Sequence, residues 1–110
     1  MKQKDIYLAN LSPIKGSEQG GLRPVVVISG DTMNDNLGVC IACPISSKVK
    51  KYASCVQLKK NKTNGLKQDS EIITFQVRTV SNKRLGTKIG KISEEELEKV
   101  LAGLFLVLKY

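Results

Sequence analysis

Residues 16–23, GSEQGGLR, combine backbone freedom with groups that can bind a phosphate, and they lead directly into the apolar run PVVVIS. The glycines permit dihedral angles closed to other residues and let the backbone approach a ligand closely. Arg23 ends the segment, where a rigid strand could aim its planar guanidinium at two phosphate oxygens. Glu18 is the only carboxylate in the segment, and Lys15 and Gln19 flank it. The pattern favours phosphate chemistry; the alternative is a surface ion pair between Arg23 and Glu18.

The sequence contains no histidine, which excludes histidine-based triads, histidine acid–base pairs and histidine metal sites. Cys40 and Cys43 form a CxxC pair, but a structural zinc site needs four ligands and only Cys55 remains. Because residues three apart in a strand point to opposite faces, the two sulfurs should not converge. A redox CxxC belongs at a helix N-terminus, which this segment does not supply. We therefore expect buried core cysteines.

The segment 31–36 loosely resembles a calcium-binding loop because it holds four Asp or Asn residues. Met33 stands where the third-position ligand should be, and no Glu follows at the twelfth position. We interpret the segment as turn residues. The sequence also has no carboxylate cluster able to hold two metal ions, which argues against a metal-dependent nuclease.

The net charge of +8 is concentrated in the middle of the chain. Residues 46–92 carry twelve Lys or Arg against two Asp or Glu, residues 1–45 carry four of each, and residues 93–110 carry two against four. A localised positive field favours a polyanionic partner, with nucleic acid first and a membrane surface second. The alternative is a lysine-rich face that only solubilises the protein.

Short apolar runs separated by turn residues predict the sheet that must position these groups. We predict strands at residues 5–10, 23–29, 39–45, 53–58, 70–77 and 87–92, loops at 12–22 and 30–38, a basic turn at 46–51, and a short turn or helix near 81–85. Pro44 indicates an edge strand or a bulge. Ser93 and Glu96 form a capping box ahead of apolar residues at helical spacing. The expected fold is mostly β (α+β): a small, strongly bent antiparallel sheet or barrel with a C-terminal helix.

A chain of 110 residues is expected to form one domain, here residues 1–110. It contains no apolar run near the ~20 residues needed to span a bilayer. The first ten residues, MKQKDIYLAN, lack the apolar stretch of a secretory signal. Three cysteines without an export signal suit a reducing compartment. We therefore expect a cytoplasmic protein without a membrane partner.

The segment GSEQGGLRPVVVIS resembles the signature of the MazF/PemK family of bacterial toxins. The similarity extends through nearly the whole chain, because DIYLANLSP resembles the family's first strand, ACPISSK the end of its third, and SEIITFQVRTV with KRLGTKIGKIS its later half. The resemblance implies an SH3-like barrel and a homodimeric endoribonuclease that cuts single-stranded RNA at short sequences without a metal or other cofactor. It also implies a cognate antitoxin that lays an acidic segment along the same groove.

The resemblance assigns catalytic roles by position. Arg23 matches the family's catalytic arginine, Ser46 its catalytic threonine and Glu18 its loop glutamate; a shift of one residue would put Ser47 in place of Ser46. Phe75 stands where many members carry Asp or Glu, which leaves the general base open, with Glu18 as our candidate. The residues expected to contact RNA are Lys15, Gln19, Ser47, Lys48, Lys50, Gln76 and Arg78. For Arg78 the alternative is a structural role.

The implied reaction is attack of the RNA 2′-OH on the neighbouring phosphate, which yields a 2′,3′-cyclic phosphate and a 5′-OH end. Two other classes of function stay open. One is a binding module, because the resemblance extends to toxins that share the same small barrel and poison DNA gyrase without being nucleases. The other is a catalytically silent homologue that binds RNA or a protein partner, an alternative kept open by Phe75 and by the serine in place of threonine.

Overall fold

The computed structural model describes residues 1–11 and 22–110, so the predicted loop at 12–22 lies almost entirely outside the described residues. The strands are β1 Asp5–Asn10, β2 Leu22–Val27, β3 Val39–Ser46, β4 Val56–Leu58, β5 Ser70–Ile72, β6 Arg78–Ser81 and β7 Leu85–Lys91. The helices are α1 Asp31–Asn36 and α2 Glu94–Lys109, and two 3-10 turns cover Thr74–Gln76 and Asn82–Arg84. No helix within these two ranges is long and apolar enough to cross a bilayer.

The strands form an antiparallel sheet in the order β4–β5–β3–β2–β1–β7, and β6 pairs with β3 beside that path. Within the described part of the chain, β4 and β7 end the path without pairing with each other, so the sheet is barrel-like but not closed. The predicted fold class, a mostly antiparallel sheet with a C-terminal helix, is confirmed.

Strand β3 has neighbours on both sides. It pairs with β2 along one edge, and along the other it pairs first with β6 and then with β5. Pro44 lies in the gap between the β6 and β5 ladders, where its carbonyl accepts the N–H of Ile73 at 2.9 Å. Of the two predicted alternatives, an edge strand or a bulge, the edge strand is therefore wrong. The missing N–H is tolerated because it falls where the partner strand changes.

The two faces of the sheet carry different cores. The helix-side core packs under α2 and includes Val26, Cys43, Ile45, Leu97 and Val100. The second core lies on the opposite face and consists of Ala9, Val25, Val27, Cys40, Ala42 and Val80. This division follows from the alternation of side chains along each strand. It also confirms that the two cysteines of the CxxC pair are buried and point to opposite faces.

Helix α2 begins at the predicted capping box. The Glu96 N–H donates to Ser93 Oγ at 3.0 Å, and the Ser93 N–H donates to Glu96 Oε1 at 2.8 Å. Leu97 and Val100 are buried against the sheet, which is the arrangement that the apolar spacing predicts.

The predicted strand at 70–77 is two strands separated by a turn. The Thr74 hydroxyl donates to the Ser54 carbonyl at 2.8 Å, and the Val77 N–H donates to the Thr74 carbonyl at 3.1 Å. These bonds turn the chain out of β5 after Ile72 and into β6 at Arg78. The predicted strand at 53–58 is likewise shorter, because only Val56–Leu58 pairs with β5.

The predicted loop at 30–38 contains the short helix α1. Asn34 is buried, and its amide donates to the Ser29 carbonyl at 2.9 Å and to Asp31 Oδ1 at 3.2 Å. Asp31 Oδ1 also accepts the N–H of Gln3 at 2.7 Å, and this bond lowers the pKa of the Asp31 carboxyl. The polar groups that loosely resemble a calcium loop are thus engaged in fixing α1.

Candidate active site

The register between β2 and β3 brings Arg23 and Ser46 towards each other. Val25 pairs with Pro44 at the end of this ladder, and Arg23 and Ser46 each lie two residues further along their strands. The two residues therefore lie just beyond the last pair of the ladder, at the same end of β2 and β3. Side chains two apart share a face, so both lie on the face of the second core. Arg23 is exposed and Ser46 is half-buried, which leaves a guanidinium and a hydroxyl accessible at one end of these two central strands; we call this end the Arg23–Ser46 site.

Arg78 lies on the same face of the sheet at a greater distance. It pairs with Ala42, four residues before Ser46 along β3, which corresponds to about 13 Å at the ordinary strand rise. Arg78 is exposed, and so is Gln76 in the preceding 3-10 turn. Arg78 and Gln76 are thus exposed in the part of the fold that neighbours the Arg23–Ser46 site.

The residues after Ser46 form a basic loop, residues 47–52, whose backbone is held by hydrogen bonds to side chains. Ser46 Oγ accepts the N–H of Lys48 at 3.1 Å. Glu71 accepts two further N–H groups of the loop, that of Lys50 on Oε1 at 2.9 Å and that of Tyr52 on Oε2 at 3.1 Å. Glu71 is 0% exposed, and its Cα pairs with that of Ser46. Ser47, Lys48 and Lys50 are exposed to solvent on this loop.

The comparisons with known proteins settle the family. Residues 2–108 match the model of the PemK-like, MazF-like toxins of type II toxin–antitoxin systems. The chain belongs to this toxin family. It is 39% identical over 102 residues to the endoribonuclease MazF of Staphylococcus saprophyticus, covering 91% of this chain and 84% of that one.

Solved structures of family members agree with the fold. A crystal structure of MazF from Deinococcus radiodurans matches with a TM-score of 0.81 at 25% identity, over 100% of this chain and 97% of that one. A MazE–MazF structure from the same organism matches with a TM-score of 0.78 at 24% identity, over 98% and 95% of the two chains.

In this MazF-family chain, an exposed aromatic ring lies at the position where the family resemblance leads us to look for a carboxylate base. Phe75 is 45% exposed and packs edge-on against Tyr52, with ring centroids 5.2 Å apart and planes at 88°. It supplies no base. Glu18, our candidate base, lies outside the described residues, as do Lys15 and Gln19.

Two further cationic residues, Lys83 and Arg84, lie near the start of β2. A groove beside the start of β2 is lined by Asn10, Leu22, Lys83, Arg84, Leu85 and Gly86. One terminal nitrogen of Arg84, Nη1, is buried and has no hydrogen-bond partner among the described residues. In the sequence, Lys83 and Arg84 contribute only to the net charge. Their place near the start of β2 depends on how β7 pairs with β1 and β1 with β2, which no local pattern reveals.

Lys88, one of the lysines of the positively charged segment 46–92, already forms an ion pair within the protein. Lys88 Nζ lies 3.1 Å from Oδ1 of the buried Asp5. Burial, and then the negative charge of Asp5, raise the pKa of the neighbouring Tyr7, so its phenol keeps its proton at neutral pH. The surface around Lys88 and Asp5 is therefore a less favourable place for a phosphate than the Arg23–Ser46 site.

Cys40 and Cys43 of this MazF-family chain are buried and unsuited to catalysis. Burial raises the pKa of the Cys43 thiol to about 12 and also raises that of Cys40. A thiol in this state is a poor nucleophile because only the thiolate reacts. Within residues 1–11 and 22–110, no three Cys, Asp or Glu side chains are grouped to hold a metal ion.

Proposed function

We propose that this chain is the toxin of a type II toxin–antitoxin module and an endoribonuclease that cleaves single-stranded RNA, mRNA included, at specific short sequences. The observation that carries the proposal is the β2–β3 register, whose last pair, Val25–Pro44, leaves Arg23 and Ser46 at the same end of the two strands, at the border of a basic loop. It is supported by 39% identity to a protein named as an endoribonuclease over most of both chains.

The proposed reaction uses the RNA itself as the nucleophile. The 2′-oxygen attacks the adjacent phosphorus while a base takes its proton, and the bond to the 5′-oxygen then breaks as that oxygen gains a proton. Arg23 stabilises the negative charge that develops on the phosphorane and on the leaving oxygen, since its guanidinium remains protonated. The Ser46 hydroxyl hydrogen-bonds the scissile phosphate and positions it. The products are a 2′,3′-cyclic phosphate and a 5′-OH end, and Glu18 is our candidate base.

The surrounding polar residues are proposed to hold the RNA strand. Ser47, Lys48 and Lys50 present donors and positive charge from the basic loop, Arg78 lies on the Arg23–Ser46 face, and Gln76 is exposed in the turn before it. Lys15 and Gln19 complete the proposed RNA-binding set from the segment before Arg23. The site calls for no metal or other cofactor, because the guanidinium supplies the positive charge that the phosphorane needs.

We further propose that the protein acts in the cytoplasm as a homodimer and is inhibited by an antitoxin with an acidic segment. The positive segment 46–92 attracts an acidic peptide by the same field that attracts RNA. A MazE–MazF structure of a family member matches this fold. Sedimentation equilibrium is expected to give twice the chain mass of 12.1 kDa.

The decisive experiment incubates a long single-stranded RNA with purified protein in EDTA and maps the 5′ ends of the products. The wild-type chain and Lys99→Ala are expected to give the same discrete cuts. Arg23→Ala is expected to lose about 10²–10³-fold in rate, the usual effect of removing a donor that stabilises an oxyanion. Ser46→Ala should also lose the cuts.

Two outcomes would contradict this proposal. Intact RNA after incubation with a folded wild-type chain would favour the non-catalytic homologue that binds RNA, gyrase or a protein partner. Cuts that survive Arg23→Ala would place the catalytic centre elsewhere.

A further inference from the structure

Glu71 is a buried carboxylate inside a short strand whose other side chains are also buried. It is 0% exposed, although an unpaired charge in a protein interior is strongly unfavourable. Both carboxylate oxygens are occupied, by the N–H of Lys50 at 2.9 Å and that of Tyr52 at 3.1 Å. No Lys or Arg forms a salt bridge with it within residues 1–11 and 22–110. The only partners that it has there are backbone groups of the basic loop.

The arrangement dictates the shape of residues 47–52. Two N–H groups two residues apart converge on one carboxylate, and the residue between them, Lys51, has a positive φ of 59°. A lysine rarely adopts this left-handed conformation, and it persists where the surrounding contacts fix it. The loop is tied at its other end by the bond from the Lys48 N–H to Ser46 Oγ. The loop is therefore held at three backbone points, two of which depend on Glu71.

The anchor lies directly beside the proposed catalytic hydroxyl, because Glu71 and Ser46 are register partners. A displacement of the loop would thus move Ser46 Oγ together with Lys48 and Lys50. Glu71 itself has no access to RNA, since it is fully buried and both oxygens are engaged. It is not a candidate for the missing general base.

We propose that Glu71 is a positioning residue for RNA cleavage, which fixes the basic loop so that Ser46, Lys48 and Lys50 meet the scissile strand together. This inference rests on the proposed function for its substrate. It adds a residue whose contribution passes through the backbone of Lys50 and Tyr52, and neither the charge pattern nor the resemblance assigns it a role.

The test compares Glu71→Gln and Glu71→Ala with Asn64→Ala. Asn64 is a matched control because it is 1% exposed and its Oδ1 likewise accepts two backbone N–H groups, those of Asn61 and Leu66, in a different loop. Stability is measured first by urea unfolding, and cleavage is assayed where every variant is folded. Glutamine keeps one acceptor oxygen and loses the other, so it should retain part of the function even if the alanine variant fails to fold.

We expect folded Glu71→Gln to lose about 10-fold and Glu71→Ala about 100-fold in kcat/KM, with kcat carrying most of the loss, as is usual for small displacements of reacting groups. Folded Asn64→Ala should cleave at the wild-type rate. Native-state hydrogen exchange should accelerate at the Lys50 and Tyr52 amides in both Glu71 variants, while the Val26 amide in the core stays protected.

Wild-type cleavage by folded Glu71→Ala would overturn the inference, as would an equal loss in Asn64→Ala, because the effect would then follow stability alone. Unchanged exchange at Lys50 and Tyr52 would overturn it as well. If the wild-type chain does not cleave RNA, the proposed function fails, while the exchange experiment still decides whether Glu71 fixes the loop.

Discussion

Ser46 and Ser47 are consecutive, yet only Ser46 belongs to strand β3. Ser46 lies two residues beyond the Val25–Pro44 pair and so shares a face with Arg23, whereas Ser47 belongs to the exposed basic loop. We therefore expect Ser46→Ala to reduce cleavage by at least about 10-fold, the usual minimum for losing a charge-assisted hydrogen bond. Ser47→Ala should stay within about 2-fold of the wild type, which corresponds to less than 1 kcal/mol. Single-turnover cleavage measures both rates.

Ser46→Thr is the control for this comparison, because it keeps the hydroxyl and restores the residue type that the family resemblance expects. It should cleave at least as fast as the wild type. A large loss in Ser47→Ala with little change in Ser46→Ala would show that the alignment is shifted by one residue and that the other hydroxyl contacts the phosphate.

The buried thiol of Cys43 makes stability depend on alkaline pH. Its pKa rises from 9.0 to about 12 on folding, so the folded protein holds a proton that the unfolded chain releases above pH 9. The stabilising contribution is complete below pH 9 and is lost as the pH rises towards 12. Between pH 7 and pH 10 the share of Cys43 in this loss should be on the order of 1 kcal/mol of unfolding free energy. Urea unfolding at both pH values measures it.

Cys43→Ala is the comparison for that measurement. The other titratable groups are the same in both proteins, so the difference between the two pH dependences isolates the thiol. The variant should lose less stability than the wild type over the same interval, by on the order of 1 kcal/mol, even though its overall stability is lower. Parallel pH dependences would mean that the thiol ionises as readily in the folded protein as in the unfolded chain.

At the scale of elements, the contact between α2 and residues 53–55 depends on a glycine. A Cβ on Gly103 would lie 2.0 Å from the Ser54 carbonyl oxygen, which also accepts the hydroxyl of Thr74. Helix propensity favours alanine over glycine by about 1 kcal/mol, whereas overpacking costs about 1–3 kcal/mol. Because the clash is with backbone, we expect Gly103→Ala to lower the unfolding free energy and the thermal midpoint.

Gly30→Ala is the matched control, since no atom lies within 4 Å of the added Cβ and Gly30 has an ordinary φ of −67°. Its unfolding free energy should change by less than about 0.5 kcal/mol. Stabilisation by Gly103→Ala would show that α2 can move away from Ser54 at little cost.

The elements that sequence predicts well are those determined by neighbouring residues. The run PVVVIS and the Ser93–Glu96 capping box each contain their own signal, and β2 and α2 are found where that signal predicts. The break between β5 and β6 escaped prediction because it depends on Thr74 reaching Ser54, twenty residues away along the chain. The same distance explains why Glu71 was missed: a charged residue in SEI gives no sign that its partners are two backbone N–H groups in another loop.

The pairing of strands completes what the sequence leaves open about the site. Arg23 is singled out by its place after the glycine-rich segment and Ser46 by the family resemblance, and no local pattern shows that they lie at the same end of neighbouring strands. Their juxtaposition follows from the β2–β3 register, which is itself fixed by which valines face each core. The glutamate chosen as base gains nothing from this geometry, because Glu18 lies outside the described residues.

At the scale of the whole molecule, the positive charge is concentrated in one segment of the chain and the negative charge in another. The segment 46–92 carries twelve Lys or Arg against two Asp or Glu, and the C-terminal segment 93–110 carries two against four. Helix α2, which contains most of that acidic segment, packs on the helix-side core, whereas Arg23 and Arg78 lie on the opposite face of the sheet. RNA should therefore be attracted to the face that carries the proposed site.

This asymmetry predicts which lysines determine the salt dependence of RNA binding. Each phosphate neutralised in a single strand contributes about −0.7 to the slope of log K against log salt. Replacing both Lys48 and Lys50 with alanine should make the slope shallower by about 1.4 if each lysine contacts one phosphate. Binding is measured by fluorescence anisotropy with 2′-O-methyl RNA, which cannot undergo attack by the 2′-oxygen.

The matched control removes two lysines from α2, Lys99 and Lys109, and so lowers the net charge by the same amount. Its slope should equal that of the wild type, because those side chains lie on a helix across the sheet from the proposed site. Equal changes in the two double variants would mean that RNA responds to net charge alone, and the basic loop would then have no special part in binding. A change confined to Lys48 and Lys50 would instead locate the phosphates beside Ser46, where the Glu71 anchor holds the loop.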